Sequence, residues 1–195
     1  MITAIILAAG ESKRMGEPKM LMPWGKSTVL QTVISTFQAA GIKDILVVTG
    51  GARGQVEMLV GKTVQTVFNE DYKKGEMLSS IQLGLSVKMR EASAALICLG
   101  DQPQVEARSV RSICNAFLES KAQIVVPSYD MRRGHPWLVA RSLWDELQAL
   151  KPPRTPRDFL KKHARKIHYV IMDTSTVIAD LDTPEEYLKS KSNTD

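Results

Sequence analysis

Ile5-Ile6-Leu7-Ala8-Ala9-Gly10-Glu11-Ser12-Lys13-Arg14-Met15-Gly16-Glu17-Pro18-Lys19 decides how the rest of the chain is read. Residues 2–9 are apolar apart from Thr3, the pattern of a strand buried on both faces of a parallel sheet. The strand breaks into a small-residue loop. Gly10 and Gly16 allow backbone angles closed to other residues and let a ligand approach the main chain. Successive free N–H groups in such a loop form a concave anion site, and Lys13, Arg14 and Lys19 add positive charge to it. Open α/β sheets bind ligands at this position, at the carboxyl ends of their strands. The loop therefore reads as a polyphosphate site. A surface turn with solvated charges is the plain alternative. The loop is neither a Walker loop nor Gly-x-Gly-x-x-Gly.

From this strand outward, strand and helix patterns alternate, which argues for a mostly parallel sheet with helices on both faces. Ser27 or Thr28 caps a helix that carries Leu30, Val33, Ile34 and Phe37 inward and is closed by Gly41. Strands are predicted at 45–48, 63–68, 94–99, 124–127 and 167–172. A helix over 106–119 faces Val110, Ile113, Cys114 and Phe117 inward. Further helices cover 142–150 and 155–163. Tyr129 to Val139 reads as a hairpin or excursion. Pro184, capped by Thr183, begins the last helix, and residues 190–195 read as a frayed tail.

The chain has 195 residues, enough for one domain with a sizeable core, and no repeat or linker divides it. Its net charge of +5 suits an anionic substrate, nucleic acid or an acidic partner without choosing among them. The basic cluster Lys161, Lys162, Arg165 and Lys166 lacks interleaved aromatics and reads as a solvated helix face, so no nucleic-acid partner is expected. Cys98 and Cys114 lack metal-ligand spacing and read as reduced core residues. No apolar run is long enough for a membrane span, and the amino terminus lacks the features of a signal peptide. The expectation is a cytoplasmic protein with no membrane partner.

Local chemistry marks further candidates. Ser79-Ser80 sits early in a predicted helix, where serines usually cap. Gly100-Asp101-Gln102-Pro103 follows an apolar strand, so the Asp101 carboxylate faces the same crevice as the first loop, unless it is a turn or cap aspartate. Gly134-His135-Pro136 lies in a turn, where a histidine is more often structural. Thr-Pro-Glu-Glu at 183–186 is explained by capping, whereas Asp180 and Asp182 before it are not.

Taken together, Leu-Ala-Ala-Gly-x-Ser-x-Arg-Met-Gly-x-x-Lys, Gly-Asp-x-Pro, Gly-His-Pro and Asp-x-Asp-Thr-Pro-Glu-x-Tyr resemble the ordered motifs of the molybdenum cofactor cytidylyltransferase family (MocA/MobA-like nucleotidyltransferases). The resemblance covers nearly the whole chain. It implies a single-domain, Rossmann-like nucleotide-diphospho-sugar transferase fold over residues 1–195. It implies transfer of CMP from CTP to the terminal phosphate of molybdopterin cofactor, with a molybdenum hydroxylase as a possible recipient of the product. By motif position, Leu7, Ala8, Ala9 and Gly10 hold the nucleotide, Arg14 grips phosphates, and Lys19 sits at the reacting phosphate. Ser79 and Ser80 lie beside the base and ribose. Asp101 binds the metal, expected as Mg²⁺ with Mn²⁺ as the alternative, and Asp182 completes the metal site. His135 is placed on the acceptor side. Relatives carry Gly-Met-x-Ser-Ser before the serines, and this chain matches only in part. Where many relatives have Gly-Ala-Arg, it keeps only Arg157. Guanylyl relatives read Leu-Ala-Gly-Gly where this chain has Leu7-Ala8-Ala9-Gly10, and the Ala9 methyl suits the smaller pyrimidine. The rival readings are a related enzyme acting on a sugar or alcohol phosphate, and a non-catalytic cofactor carrier.

Overall fold

The computed structural model describes residues 1–12, 15–74, 76–89, 92–181 and 183–191. Strand β1 (Ile2–Ala8) is followed by a small hairpin of β2 (Pro23–Trp24) and β3 (Ser27–Thr28), then by helix α1 (Val29–Ala39). Next come β4 (Asp44–Thr49), α2 (Arg53–Val60), β5 (Gln65–Phe68), α3 (Glu76–Lys88) and β6 (Ala94–Leu99). The second half runs α4 (Ala107–Ser120), β7 (Ile124–Tyr129), β8 (Arg132–Arg133), β9 (Trp137–Ala140), α5 (Trp144–Gln148), α6 (Pro156–Lys162), β10 (Ile167–Ile171) and α7 (Pro184–Lys191).

The main sheet has the order β10-β7-β9-β6-β1-β4-β5, with β8 paired to β7. Strand β1 is parallel to both neighbours: Leu7 lies opposite Val48 on one side and Leu99 on the other. The chain leaves β1 toward β4 and β5 and returns to β6 on the other side. The strand order therefore reverses at β1 and β6, where such sheets open a crevice at their carboxyl edge.

Alternation along the strands builds two cores. Ala4, Ile6, Ala8, Leu96 and Cys98 pack with Leu30, Val33 and Phe37 of α1, Val56 of α2, and Val110 and Ile113 of α4. Ile5, Leu7, Ala95 and Ile97 face the other way, onto Ile81 and Leu85 of α3, Trp144 and Leu147 of α5, and Phe159 of α6. Both strands are thus buried on both faces, as their apolar runs require. The two cysteines are free, with Cys98 buried and Cys114 partly so.

The caps expected at Thr28 and Thr183 are present, and α6 carries a further one. The Gln31 N–H donates to Thr28 Oγ1 at 3.3 Å. Thr155 and Asp158 form a reciprocal capping box at the start of α6. Thr183 and Glu186 do the same before α7, with N–H to side-chain oxygen distances of 3.0 and 3.2 Å.

Several boundaries differ from expectation. β5 begins at Gln65 rather than residue 63. Ser190 and Lys191 belong to α7 rather than to a frayed tail, and residues 192–195 lie outside the described ones. The excursion after Tyr129 returns as a strand: β9 inserts between β6 and β7 and is antiparallel to both. Four residues behind a proline carry too little periodicity to mark a strand. What fixes β9 is tertiary: Trp137 is buried against Phe159, with ring centroids 6.4 Å apart, and Trp144 Nε1 donates to the Val139 carbonyl at 3.2 Å.

The closing segment docks on the opening one. Tyr187 of α7 packs against Trp24 with ring centroids 6.2 Å apart, and its hydroxyl donates to the Pro23 carbonyl. Leu181 is buried in the same cluster with Met22 and Val29. This contact carries the residues just before α7 to the mouth of the crevice at β1 and β6.

Candidate active site at the strand-order reversal

The crevice is a cleft of about 430 Å³ lined from both halves of the chain. Ala9, Gly10 and Leu7 come from β1 and its loop, Asp101 and Gln102 from the end of β6, and Asp180 from the segment before α7.

The first loop is folded by short-range contacts. Ser12 takes a left-handed backbone conformation (φ 51°), and its hydroxyl accepts the Lys19 N–H at 3.0 Å. The serine thus latches the two ends of the loop. Of the two loop glycines, only Gly16 (φ 75°) uses the left-handed region. A Cβ built on Gly10 meets nothing within 4 Å, so no packing contact requires glycine there, and the position opens onto the cleft. Gly50, at the end of β4, is required by close approach: a Cβ there would lie 2.3 Å from the Ala9 carbonyl oxygen. Lys13 and Arg14 lie outside the described residues.

Lys19 and Asp101 meet across this loop. Lys19 opens a short 3-10 turn (Lys19–Leu21) and is buried. Its Nζ stands 3.4 Å from Asp101 Oδ2. Asp101 is held against β1 because the Gly100 N–H donates to the Leu7 carbonyl at 3.0 Å. Burial pushes the Asp101 carboxyl above the usual carboxylate range. The Lys19 ammonium pulls it back, and the Asp180 carboxylate raises it again. Asp180 accepts a 2.8 Å hydrogen bond from Gln102 Nε2. Asp182 lies outside the described residues, and Asp180 is the described acidic residue that shares the cleft with Asp101. Among the described residues, no three His, Cys, Asp or Glu side chains cluster as a metal site.

The serine pair is organised differently from a helix cap. Asn69, at the end of β5, donates through Nδ2 to Ser79 Oγ and Ser80 Oγ, both at 2.9 Å. Its Oδ1 accepts the Asp71 N–H at 3.0 Å, closing the turn that enters the loop. Ser80 lines the cleft with Tyr72 and Met77. Among the expected nucleotide contacts, Ala8 and Ser79 do not line the cleft: the Ala8 methyl points into the core, and Ser79 is held by Asn69.

On the far side, Gly134 presses on the Val177 turn, where a Cβ would lie 2.3 Å from the Val177 carbonyl oxygen. The His135 N–H donates to that same oxygen at 2.8 Å. His135 and Arg157 both line the cleft. Burial, then the Arg157 charge, lowers the His135 imidazole to about 4, so it is neutral at physiological pH. The structure thus brings together Leu7, Ala9, Gly10, Lys19, Ser80, Asp101 and His135. It adds Asn69, Gln102, Asp180 and Arg157, which sequence reasoning did not assign. Gln102 stood in the quoted Gly-Asp-Gln-Pro, but only its contact with Asp180 reveals it.

The chain's similarities fit this geometry. The family model described as the MobA-like NTP transferase domain matches residues 4–167. The chain is 26% identical to molybdenum cofactor cytidylyltransferase of Escherichia coli K12, covering 97% of this chain and 95% of that protein. It is 24% identical to nicotine blue oxidoreductase of Paenarthrobacter nicotinovorans, covering 95% and 94% respectively. Rv0371c of Mycobacterium tuberculosis H37Rv superposes with a TM-score of 0.87 at 28% identity, covering 98% of this chain and 97% of that one. A complex of Rv0371c with manganese superposes at 0.82, with 26% identity and 98% of each chain covered. The mostly parallel sheet with helices on both faces is the nucleotide-diphospho-sugar transferase fold.

Proposed function

The chain belongs to the MobA-like NTP transferase domain family, and on that premise we propose that it transfers CMP from CTP to the terminal phosphate of molybdopterin cofactor, releasing pyrophosphate. The observation that carries this reading is the meeting of Lys19 and Asp101, 3.4 Å apart, at the carboxyl edge where the strand order reverses.

In the reaction, an oxygen of the cofactor phosphate attacks the α-phosphorus of CTP. The bond from that phosphorus to the bridging oxygen breaks, and pyrophosphate leaves with the electron pair. The nucleophile is already anionic, so no strong general base is required. The protein has to align the reactants and neutralise charge. Lys19, by motif position, stabilises the α-phosphate oxygens. Arg14, by motif position, holds the departing pyrophosphate. His135 is neutral and offers a hydrogen bond rather than a charge to the acceptor, while Arg157 beside it supplies the positive charge.

The donor set also fits a divalent cation. Asp101 and Asp180 are hard oxygen ligands, and their mutual repulsion is what a bound cation relieves. Asp101 and Asp180, with Asp182 from the closing motif, would hold Mg²⁺ or Mn²⁺, which when bound supplies Lewis-acid neutralisation of the phosphate charge. The manganese complex of Rv0371c supports this choice. Base preference is assigned to Ala9, which lines the cleft at the position where guanylyl relatives carry glycine.

The test is pyrophosphate release with each of the four nucleoside triphosphates and molybdopterin cofactor, run beside sugar and alcohol phosphates as acceptors. CTP with the cofactor is expected to dominate. Preference for GTP would remove the cytidylyl reading. A better sugar or alcohol phosphate would reassign the acceptor. Cofactor binding without pyrophosphate release would favour a carrier.

A further inference from the structure

Gln102 is almost wholly buried, at 3% exposure, yet it stands between the two acidic groups of the cleft. It follows Asp101 directly in the chain, and its Nε2 donates to Asp180 Oδ1 at 2.8 Å, across 78 residues of sequence. That bond fixes the amide: the nitrogen faces Asp180 and the oxygen faces inward. The oxygen is buried and has no hydrogen-bond partner among the described residues. A buried acceptor without a donor opposes folding. Stability alone would favour an apolar side chain of similar volume here. What the amide does supply is a donor that holds one oxygen of Asp180, an exposed residue that would otherwise rotate freely in water.

We propose that Gln102 is a positioning residue that locks Asp180 beside Asp101 and thereby sets the affinity of the cleft for a divalent cation. This rests on the metal reading given above. The orienting group is outside the ligand set, as is common where a neighbouring hydrogen bond aims a carboxylate at a metal. It also ties the segment before α7 to the end of β6, so that both acidic motifs move as one body.

The test uses Mn²⁺ alone, with its dissociation constant read by titration calorimetry and its environment by electron paramagnetic resonance, on the full chain. Gln102→Met is expected to raise the Mn²⁺ dissociation constant about ten-fold while leaving the melting temperature unchanged or higher. Asp180→Ala is expected to raise it at least as much, and Gln102→Met added to Asp180→Ala to change nothing further. Affinity in Gln102→Met within two-fold of wild type, with Asp101→Ala binding poorly, would overturn the role of Gln102 and leave the metal reading standing. Unchanged affinity in Asp101→Ala as well would overturn the metal reading itself. Additive losses in the double variant, or a large fall in melting temperature with Gln102→Met, would mean that Gln102 acts structurally and not through Asp180.

Discussion

A lysine–aspartate pair stands at each edge of the same sheet, and the two pairs are built differently. At the amino edge, Lys88 closes α3 on the first residues of β4 and β5: its Nζ lies 2.6 Å from Asp44 Oδ1 and 2.8 Å from Gln65 Oε1. The lysine side chain is 3% exposed. At the carboxyl edge, Lys19 and Asp101 are 3.4 Å apart, with side chains 10% and 22% exposed, and Asp101 lines the cleft. The same residue types thus serve as a tight internal clasp in one place and as a looser pair facing a ligand space in the other. Asp101 also carries a carboxyl raised by burial, the kind of cost to folding that concentrates at functional sites.

The sharpest way to break this contrast is to neutralise Asp101. Asp101→Asn is expected to lower pyrophosphate release by about 10²–10³-fold, the scale of losing a preorganised electrostatic partner. Its stability should change little, because the burial penalty on the carboxylate is lifted while buried Lys19 loses this ion pair. An aspartate whose folded value is raised destabilises the fold at pH above that value, and the penalty fades as the pH falls and the carboxyl protonates. Removing the charge removes the penalty. A calorimetric scan beside the rate assay checks both halves.

The amino-edge pair should respond in the opposite sense. Lys88→Ala leaves Asp44 without its ammonium partner and is expected to cost about 3 kcal/mol of unfolding free energy, measured in urea. Lys88→Met with Asp44→Leu should recover most of that loss, because an apolar pair needs no mutual charge. Catalytic turnover per folded molecule should stay at the wild-type value in both.

His135 gives a smaller, pH-dependent effect. Its imidazole titrates near 4 in the fold and near its ordinary value when unfolded. The unfolded chain therefore binds a proton first as the pH falls, so stability is full above the unfolded value and declines through the window from about 6.5 to about 4. His135→Gln should flatten that part of the stability profile. It should also raise KM for the acceptor more than KM for CTP.

The smallest expected change is in base choice. One methyl is worth about 1–3 kcal/mol in discrimination, so Ala9→Gly should narrow the preference for CTP over GTP without reversing it. The ratio of kcat/KM for the two nucleotides, in wild type and variant, measures it.

How much of this was legible depended on whether the signal was local. The apolar runs of β1, β4 and β6, the Thr28 and Thr183 caps and the alternation of strand and helix are short-range features, and they locate the fold and the crevice. The short strand β9 was hidden because its place is fixed by pairing with β6 and β7 and by the packing of Trp137 on Phe159. In the site, Lys19 and Asp101 could be placed because each ends a strand or its loop at the reversal point. Asn69 could not, since its amide reaches serines ten and eleven residues on, across a loop. The Asp-x-Asp pair was visible, but spacing does not say which carboxylate turns inward. The Gln102 hydrogen bond identifies Asp180 as one that faces the cleft.

The most direct measurement sets the two lysines side by side: pyrophosphate release from CTP with molybdopterin cofactor, for Lys19→Ala and Lys88→Ala, each normalised to folded protein. Lys19→Ala is expected to lose kcat by about 10²-fold or more with KM for CTP little changed, and Lys88→Ala to keep wild-type kcat. Wild-type turnover in Lys19→Ala would contradict the assignment of the cleft at β1 and β6 as the site of nucleotidyl transfer.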